Sequence, residues 1–199
     1  IDDPTSRTYY TDGSPQVVDV WLRSSPTDTA KSLAEWRSLL ISGMRQGGRA
    51  YYALDVTDPN EYMSGIKAAK TVLWEFSNKD DGDLGFTHSE ATIAYLNNDK
   101  WAAVFGNGPC RDAATCGDGE AKLFIVYLDG PVGGVWNKGI QYHKISTGAG
   151  NIAKPNGLFT PKLVDLNADG AADFAYAGDL NGNIWRFDLS GKTHSGWTS

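Results

Sequence analysis

Positive charge is what this sequence has least of in any concentrated form. Lys and Arg number 18 against 24 Asp and Glu, a net charge of −6, and the basic residues are scattered. Neutralising phosphates needs clustered Lys and Arg, so a nucleic-acid partner is excluded. No apolar run approaches the ~20 residues of a membrane helix, so the segment carries no membrane span. The three histidines, His88, His143 and His194, are far apart and lack ligand spacing, which argues against zinc. There is no G-x-S-x-G motif and no P-loop. The chain opens Ile1-Asp2-Asp3-Pro4 with neither Met nor signal peptide, and so reads as an internal piece of a longer polypeptide.

Cysteine is nearly absent too. Cys110 and Cys116 share one Gly-rich loop. The pairing expected there is a disulfide, worth roughly 2–2.5 kcal/mol of loop-closure entropy, and with it an oxidising compartment. Free or metal-binding thiols are the other reading.

What remains is a globular composition. The 199 residues are 41% hydrophobic and 12% aromatic, with 23 Gly and 8 Pro. Such a chain can bury a sizeable core, and this mixture favours short strands joined by tight turns.

Three segments repeat. The first runs through Ser14–Asp19, Trp36–Gly43 and Gly48–Asp55. The second runs through Ser89–Ala94, Trp101–Gly106 and Glu120–Val126, and the third through Thr160–Asp165, Asp173–Gly178 and Gly182–Asp188. Further strands are expected at Val72–Phe76 and Ile140–Ile145. Four strands per unit, recurring about every 70–75 residues with long insertions, is a propeller pattern. The fold expected is all-β: a partial β-propeller of about three four-stranded antiparallel blades within one domain, at 14–78, 88–147 and 158–199. Three blades leave two open edges, so an arc of a larger propeller, or a partner over those edges, is expected. Leu33, Trp36, Leu40 and Met44 sit at helical spacing, but the repeat places Trp36–Ser42 on a strand. A helical turn is left within Thr27–Leu33.

The segment Asp165–Asp173 reads D-x-N-x-D-G-x-x-D. Oxygen ligands at positions 1, 3 and 5 converge as the chain bends, and Gly170 allows the turn. Ala171 can offer its carbonyl and Asp173 a further carboxylate. Position 12 is Tyr176 rather than Glu, and the flanks read as strands. The expectation is a hairpin-borne Ca²⁺ loop, held by Asp165, Asn167, Asp169, Ala171 and Asp173, with affinity between about 1 µM and 1 mM. An ion-free turn is the alternative. Asp80-Asp81-Gly82-Asp83 lacks this spacing and reads as a solvated acidic turn before a second calcium site.

The stretch Asp165–Leu189 resembles the C-terminal propeller of the PilY/PilC family of type IV pilus proteins. So do Gly47–Pro59, Leu73–Phe76, Asp83–Thr87 and Gly106–Gly108, in family order. The resemblance implies a role in pilus assembly and pilus-tip adhesion, with calcium tuning extension against retraction and hence twitching motility and attachment. It implies an exported protein at the pilus tip, cell surface, periplasm or outer membrane of a bacterium. Minor pilins and the pilus-tip complex would be its partners, with any host or surface receptor bound through regions outside this chain. Asn167 stands where the family has Asp, which should weaken the site.

Two other readings stand beside it. Asp188-Leu189-Ser190-Gly191-Lys192 faintly resembles the blade-closing motif of quinoprotein dehydrogenases, but no catalytic carboxylate or cofactor site can be assembled. A non-enzymatic role is therefore expected. Trp21, Trp74, Trp136 and Trp185 suit either blade cores or a sugar site in a glycan- or protein-binding propeller.

Overall fold

The computed structural model describes residues 9–22, 32–60, 65–110 and 117–199. Three antiparallel sheets follow one another along the chain. The first joins β1 (Gln16–Trp21), β2 (Trp36–Gly43), β3 (Ala50–Asp55) and β4 (Val72–Ser77) in sequence order. The second joins β5 (Thr92–Leu96), β6 (Lys100–Gly106), β7 (Glu120–Tyr127) and β8 (Tyr142–Gly150) in the same way. The third has β9 (Lys162–Val164), β10 (Phe174–Gly178) and β11 (Ile184–Asp188), with β10 central.

The architecture is all-β, with departures in detail. The third sheet has three described strands rather than four. In the fourth position the chain makes a single bridge, where Asp188 and Thr198 exchange backbone hydrogen bonds of 2.8 and 3.2 Å. The last strand of the second sheet starts at Tyr142, because Ile140 is spent in a turn closed by Ile140 N–H on the Asn137 carbonyl (3.1 Å). A short helix, α1 (Gly65–Thr71), precedes β4 and had no apolar periodicity to announce it. Of the helical turn expected within Thr27–Leu33, residues 27–31 lie outside the described residues. A 3₁₀ turn occupies Leu33–Glu35.

Periodicity explains the β2 assignment. Leu39 and Ile41 are fully buried while Leu33 is 92% exposed, so burial follows the strand period of two and not the helical spacing. The middle sheet explains the apolar runs. On β6, Ala103 and Phe105 face the first sheet while Ala102 and Val104 face the third. On β7, Phe124 and Val126 face the first sheet, and Leu123 and Ile125 the third. A strand buried on both faces loses its alternation and reads as a continuous apolar run. The core between the first two sheets is aromatic: Tyr51 stacks on Phe105 at 3.9 Å, and Phe105 on Phe124 at 5.8 Å.

The first strands of the three sheets lie side by side. Residues at the starts of β1, β5 and β9 line one groove, with Val18, Thr92 and Lys162 among them. Thr92 Oγ1 donates to the Pro161 carbonyl (2.9 Å), and Glu90 N–H donates to Thr160 Oγ1 (2.9 Å). Sheets set radially around a shared inner groove are what a propeller arc requires.

Polar pins hold the sheets together. Asn107 is buried and uses its whole amide: Oδ1 accepts from Lys122 N–H and Leu158 N–H, and Nδ2 donates to the Glu120 and Asp83 carbonyls. Its neighbours must be glycine. A Cβ at Gly106 would lie 2.1 Å from the Leu158 oxygen, and Gly108 has φ +68°.

Asp179 is a second pin. Its Oδ2 accepts from Asn156 Nδ2, Asn183 Nδ2 and Trp185 Nε1, each at 2.9 Å. Burial alone would raise its pKa, but these hydrogen bonds outweigh it and hold the carboxyl at about 2. Asp179→Ala strips four donors of their acceptor, the Asn183 N–H on Oδ1 (2.8 Å) included, and should cost about 2 kcal/mol, measured as a lower urea midpoint at unchanged m.

Candidate metal-binding loop

The Asp165–Asp173 segment is the connection between β9 and β10, whose register pairs Val164 with Phe174. Its bend needs two left-handed residues, Ala168 at φ 61° and Gly170 at φ 91°. Gly bears that conformation at no cost, and Ala bears it at some cost.

Asp165 points into the bend. Its Oδ1 accepts from Ala168 N–H (2.7 Å) and Asp169 N–H (3.3 Å), and its Oδ2 from Gly170 N–H (2.8 Å). Asn167 Oδ1 accepts from Asp169 N–H (3.0 Å), while its Nδ2 donates to Asp169 Oδ2 (3.0 Å). Asp169 Oδ1 accepts from Ala171 N–H (2.8 Å). Asp173, by contrast, is buried, and its Oδ2 accepts from Leu166 N–H (2.8 Å).

The donor set is all hard oxygen, three carboxylates and one amide on a single tight turn, which suits Ca²⁺. The carboxylates are occupied by loop N–H groups and by Asn97. Among the described residues no three His, Cys, Asp or Glu side chains are grouped as metal ligands.

The acidic turn at Asp80–Asp83 is not the solvated feature expected. Asp81 is buried, and Lys144 Nζ sits 2.7 Å from Asp81 Oδ1 and 2.5 Å from Asp83 Oδ2. Lys122, also buried, lies 3.3 Å from Asp83 and pairs with Asp118. Burial opposes ionisation of Asp83, yet the Lys144 hydrogen bond and the charges of Lys144 and Lys122 hold its carboxyl below the usual range. Two lysines already stand where a cation would go.

The histidines are less dispersed than the sequence suggested. His143 and His194 stack with ring centroids 3.9 Å apart, because β8 and the C-terminal turn meet. Trp197 packs edge-on to His143 at 5.7 Å. Cys116 lies outside the described residues, and no described cysteine is free. Asp188 accepts from Ser190 N–H (3.0 Å) and Ser190 Oγ (2.6 Å), a local turn that ends β11. Trp74 and Trp136 are core residues in T-shaped contact at 5.6 Å. Trp185 packs against the core shared by the second and third sheets.

The family described as the PilY1 beta-propeller domain matches residues 4–196. The chain belongs to the PilY1 β-propeller family. It is 40% identical over 187 residues to the type IV pilus biogenesis factor PilY1 of Pseudomonas aeruginosa strain PAO1, covering 94% of this chain and 13% of that protein. A PilY1 homolog of Xylella fastidiosa is 36% identical over 191 residues, covering 95% and 12%. The chain thus spans about an eighth of the length of these relatives. The crystal structure of the P. aeruginosa PilY1 C-terminal domain superposes with a TM-score of 0.66 at 38% identity, over 90% of this chain and 30% of that one.

In this PilY1-family chain, sequence reasoning missed Asn97. Its Nδ2 donates to Asp173 Oδ1 (3.1 Å) and the Ala172 carbonyl (3.1 Å), from the β5–β6 turn of the neighbouring sheet. Ala172 N–H donates to the Tyr95 carbonyl (2.9 Å) beside it, and Leu189 N–H donates to the Asp173 carbonyl (2.7 Å). The loop is therefore docked on a second blade and on the end of β11. The Asn97-Asn98-Asp99 run marked a turn; nothing local marked its target.

Proposed function

We propose that this chain is the calcium-binding propeller region of a type IV pilus biogenesis factor, working in pilus assembly and surface attachment and not in catalysis. The observation that carries the reading is the coincidence of PilY1 propeller family membership with the oxygen-rich Asp165–Asp173 hairpin. Asp165, Asn167, Asp169, the Ala171 carbonyl and Asp173 are the residues to hold the ion. Bound Ca²⁺ supplies neutralising charge for three carboxylates on one turn. Asp173 and Asn97 then transmit the state of the loop to the second sheet, because both already bridge the two. This gives the hairpin a means of altering a neighbouring surface and so of biasing pilus extension against retraction.

The partners on this reading are minor pilins and the pilus-tip complex. The location is exported, at the pilus tip or cell surface, in keeping with a Cys110–Cys116 disulfide. No described helix is long and apolar enough to cross a membrane.

Calorimetry tests the ion site. Wild type should bind one Ca²⁺ with Kd between about 1 µM and 1 mM, and Asp169→Ala should show no heat of binding. Absence of heat in the wild type, or unchanged binding in the variant, defeats the assignment. In the full-length protein, Asp169→Ala should change surface piliation and twitching; unchanged values for both would remove the regulatory role.

A further inference from the structure

Asn-Gly is the dipeptide most prone to spontaneous deamidation, because glycine puts no Cβ in the way of its own nitrogen as that nitrogen closes on the asparagine side chain. The sequence holds three such pairs, Asn107-Gly108, Asn156-Gly157 and Asn181-Gly182. The fold treats them differently.

Asn107 and Asn156 are buried. Both ends of the Asn107 amide are engaged, and the nitrogen that would attack it, Gly108 N–H, donates to the Leu158 carbonyl (2.9 Å). Asn156 comes nearer to reaction, since Gly157 N–H donates to the Asn156 Oδ1 (2.9 Å). Its leaving group is held, however: Nδ2 donates to the Ala149 carbonyl (3.2 Å) and to Asp179 Oδ2 (2.9 Å). Burial also denies both sites the water that must accept the proton and hydrolyse the product.

Asn181 stands at the tip of the β10–β11 hairpin, where residues 180–184 are exposed. Its amide makes no hydrogen bond to the described residues. Gly182 N–H is tied once, to the Asp179 carbonyl (3.1 Å), at the exposed tip. Nothing lies within 4 Å of where a Gly182 Cβ would stand, so the ring-closing approach meets no other part of the chain. A hairpin tip held by so few contacts opens locally, without unfolding its sheet.

We propose that Asn181 is a site of spontaneous deamidation that ages this hairpin. A solvent base takes the Gly182 N–H proton, and the nitrogen attacks Asn181 Cγ. The new C–N bond closes a succinimide ring, and the Cγ–Nδ2 bond breaks, Nδ2 leaving as ammonia with a proton from solvent. Water then opens the ring: cleavage at Cγ leaves Asp, and cleavage at the backbone carbonyl leaves isoaspartate. Nothing is oxidised or reduced. Isoaspartate routes the main chain through the side-chain methylene, adding one backbone atom between Asp179 and Asn183. Those two residues set the turn: Asp179 N–H donates to the Asn183 carbonyl (2.9 Å), and Asn183 N–H to Asp179 Oδ1 (2.8 Å). Leu180 N–H also donates to the Gly157 carbonyl (2.9 Å). A lengthened turn therefore loosens both the Asp179 pin and its hold on the segment before β9.

Peptide mapping by mass spectrometry tests this on the folded chain, incubated at mildly alkaline pH. A mass gain of about 1 Da, with isoaspartate identified by electron-transfer fragmentation, should grow at Asn181 at least about tenfold faster than at Asn107 or Asn156, since the tip opens locally and the buried pairs open only with their sheets. In urea the three should react at comparable rates, which assigns the difference to the fold. Asn181→Gln, whose longer side chain closes its ring far more slowly, should stop the reaction at this position and keep the fresh unfolding midpoint. The wild type should lose midpoint as it ages, and the variant should not. Reaction in the folded chain as fast at Asn107 or Asn156, an Asn181 that stays intact while the urea-unfolded chain reacts, or equal loss of midpoint in both proteins overturns the proposal.

Discussion

Saturating Ca²⁺ should raise the unfolding midpoint of this chain by about 5–10 °C, and Asp165→Ala should erase that gain. A ligand bound only by the folded state at 100 times its Kd stabilises by about 2.7 kcal/mol. For a chain of this size each kcal/mol moves the midpoint by about 2–4 °C. Asp165 is the residue to remove because its two oxygens accept three backbone N–H groups inside the bend. The loop from Asp165 to Gly170 is exposed, so without calcium those N–H groups turn to water, and the variant should lose only about 1 kcal/mol or less. The signature is thus a lost calcium response on a nearly unchanged apo fold. Differential scanning fluorimetry in calcium and in chelator reads it directly. Equal calcium shifts in both proteins, or no shift in the wild type, would sink the assignment. Hydrogen exchange should slow with calcium across Leu163–Asp188 and into the β5–β6 turn, because Asn97 ties that turn to Asp173.

The second large effect comes with acid. Lowering the pH from about 6.5 to 4 should remove about 3 kcal/mol of stability through His143. His143 is buried on β8, with His194 stacked on it and Tyr127 and Trp197 against its edges. Burial, then the nearby charges of His194 and Lys100, push its pKa down to about 4. The unfolded chain takes up that proton at about 6.5. The stabilisation is therefore fully present above 6.5 and is lost as the pH falls toward 4. His88, also lowered by burial and then by Arg45, adds a slope of the same sign. Asp179 enters lower, its contribution being lost as the pH falls from the ordinary carboxylate value near 3.8 toward 2. Urea unfolding at pH 7.5, 5.5 and 4.5 checks this: His143→Phe should flatten the slope, leaving only the smaller His88 part. An equal slope in wild type and variant would place the acid sensitivity elsewhere.

Much of the fold was legible because its causes are local. Trp36–Gly43 and Glu120–Tyr127 carry β-branched and aromatic residues between turn signals, and the repeat told strand from helix where Leu33, Trp36, Leu40 and Met44 mimicked one. The Asp165–Asp173 bend was legible for the same reason, since its spacing and Gly170 specify a turn that gathers oxygens. The Asp80–Asp83 turn misled, because Lys122 and Lys144 reach it from strands of another sheet, 39 to 63 positions away in sequence. The stacking of His143 on His194 was hidden likewise.

The sequence by itself determined the strands, the three-fold repeat and the oxygen-rich turn at Asp165–Asp173, because period-two burial and the spacing of Asp, Asn and Gly are written within a few residues. Only the tertiary structure decided what those parts face. It set Asn97 against Asp173, joined Asn156 to Asp179, and paired Lys144 with the second acidic turn. Each of these contacts joins residues brought together by sheet-on-sheet packing, whose geometry follows from the burial of two cores and leaves no local mark in the chain.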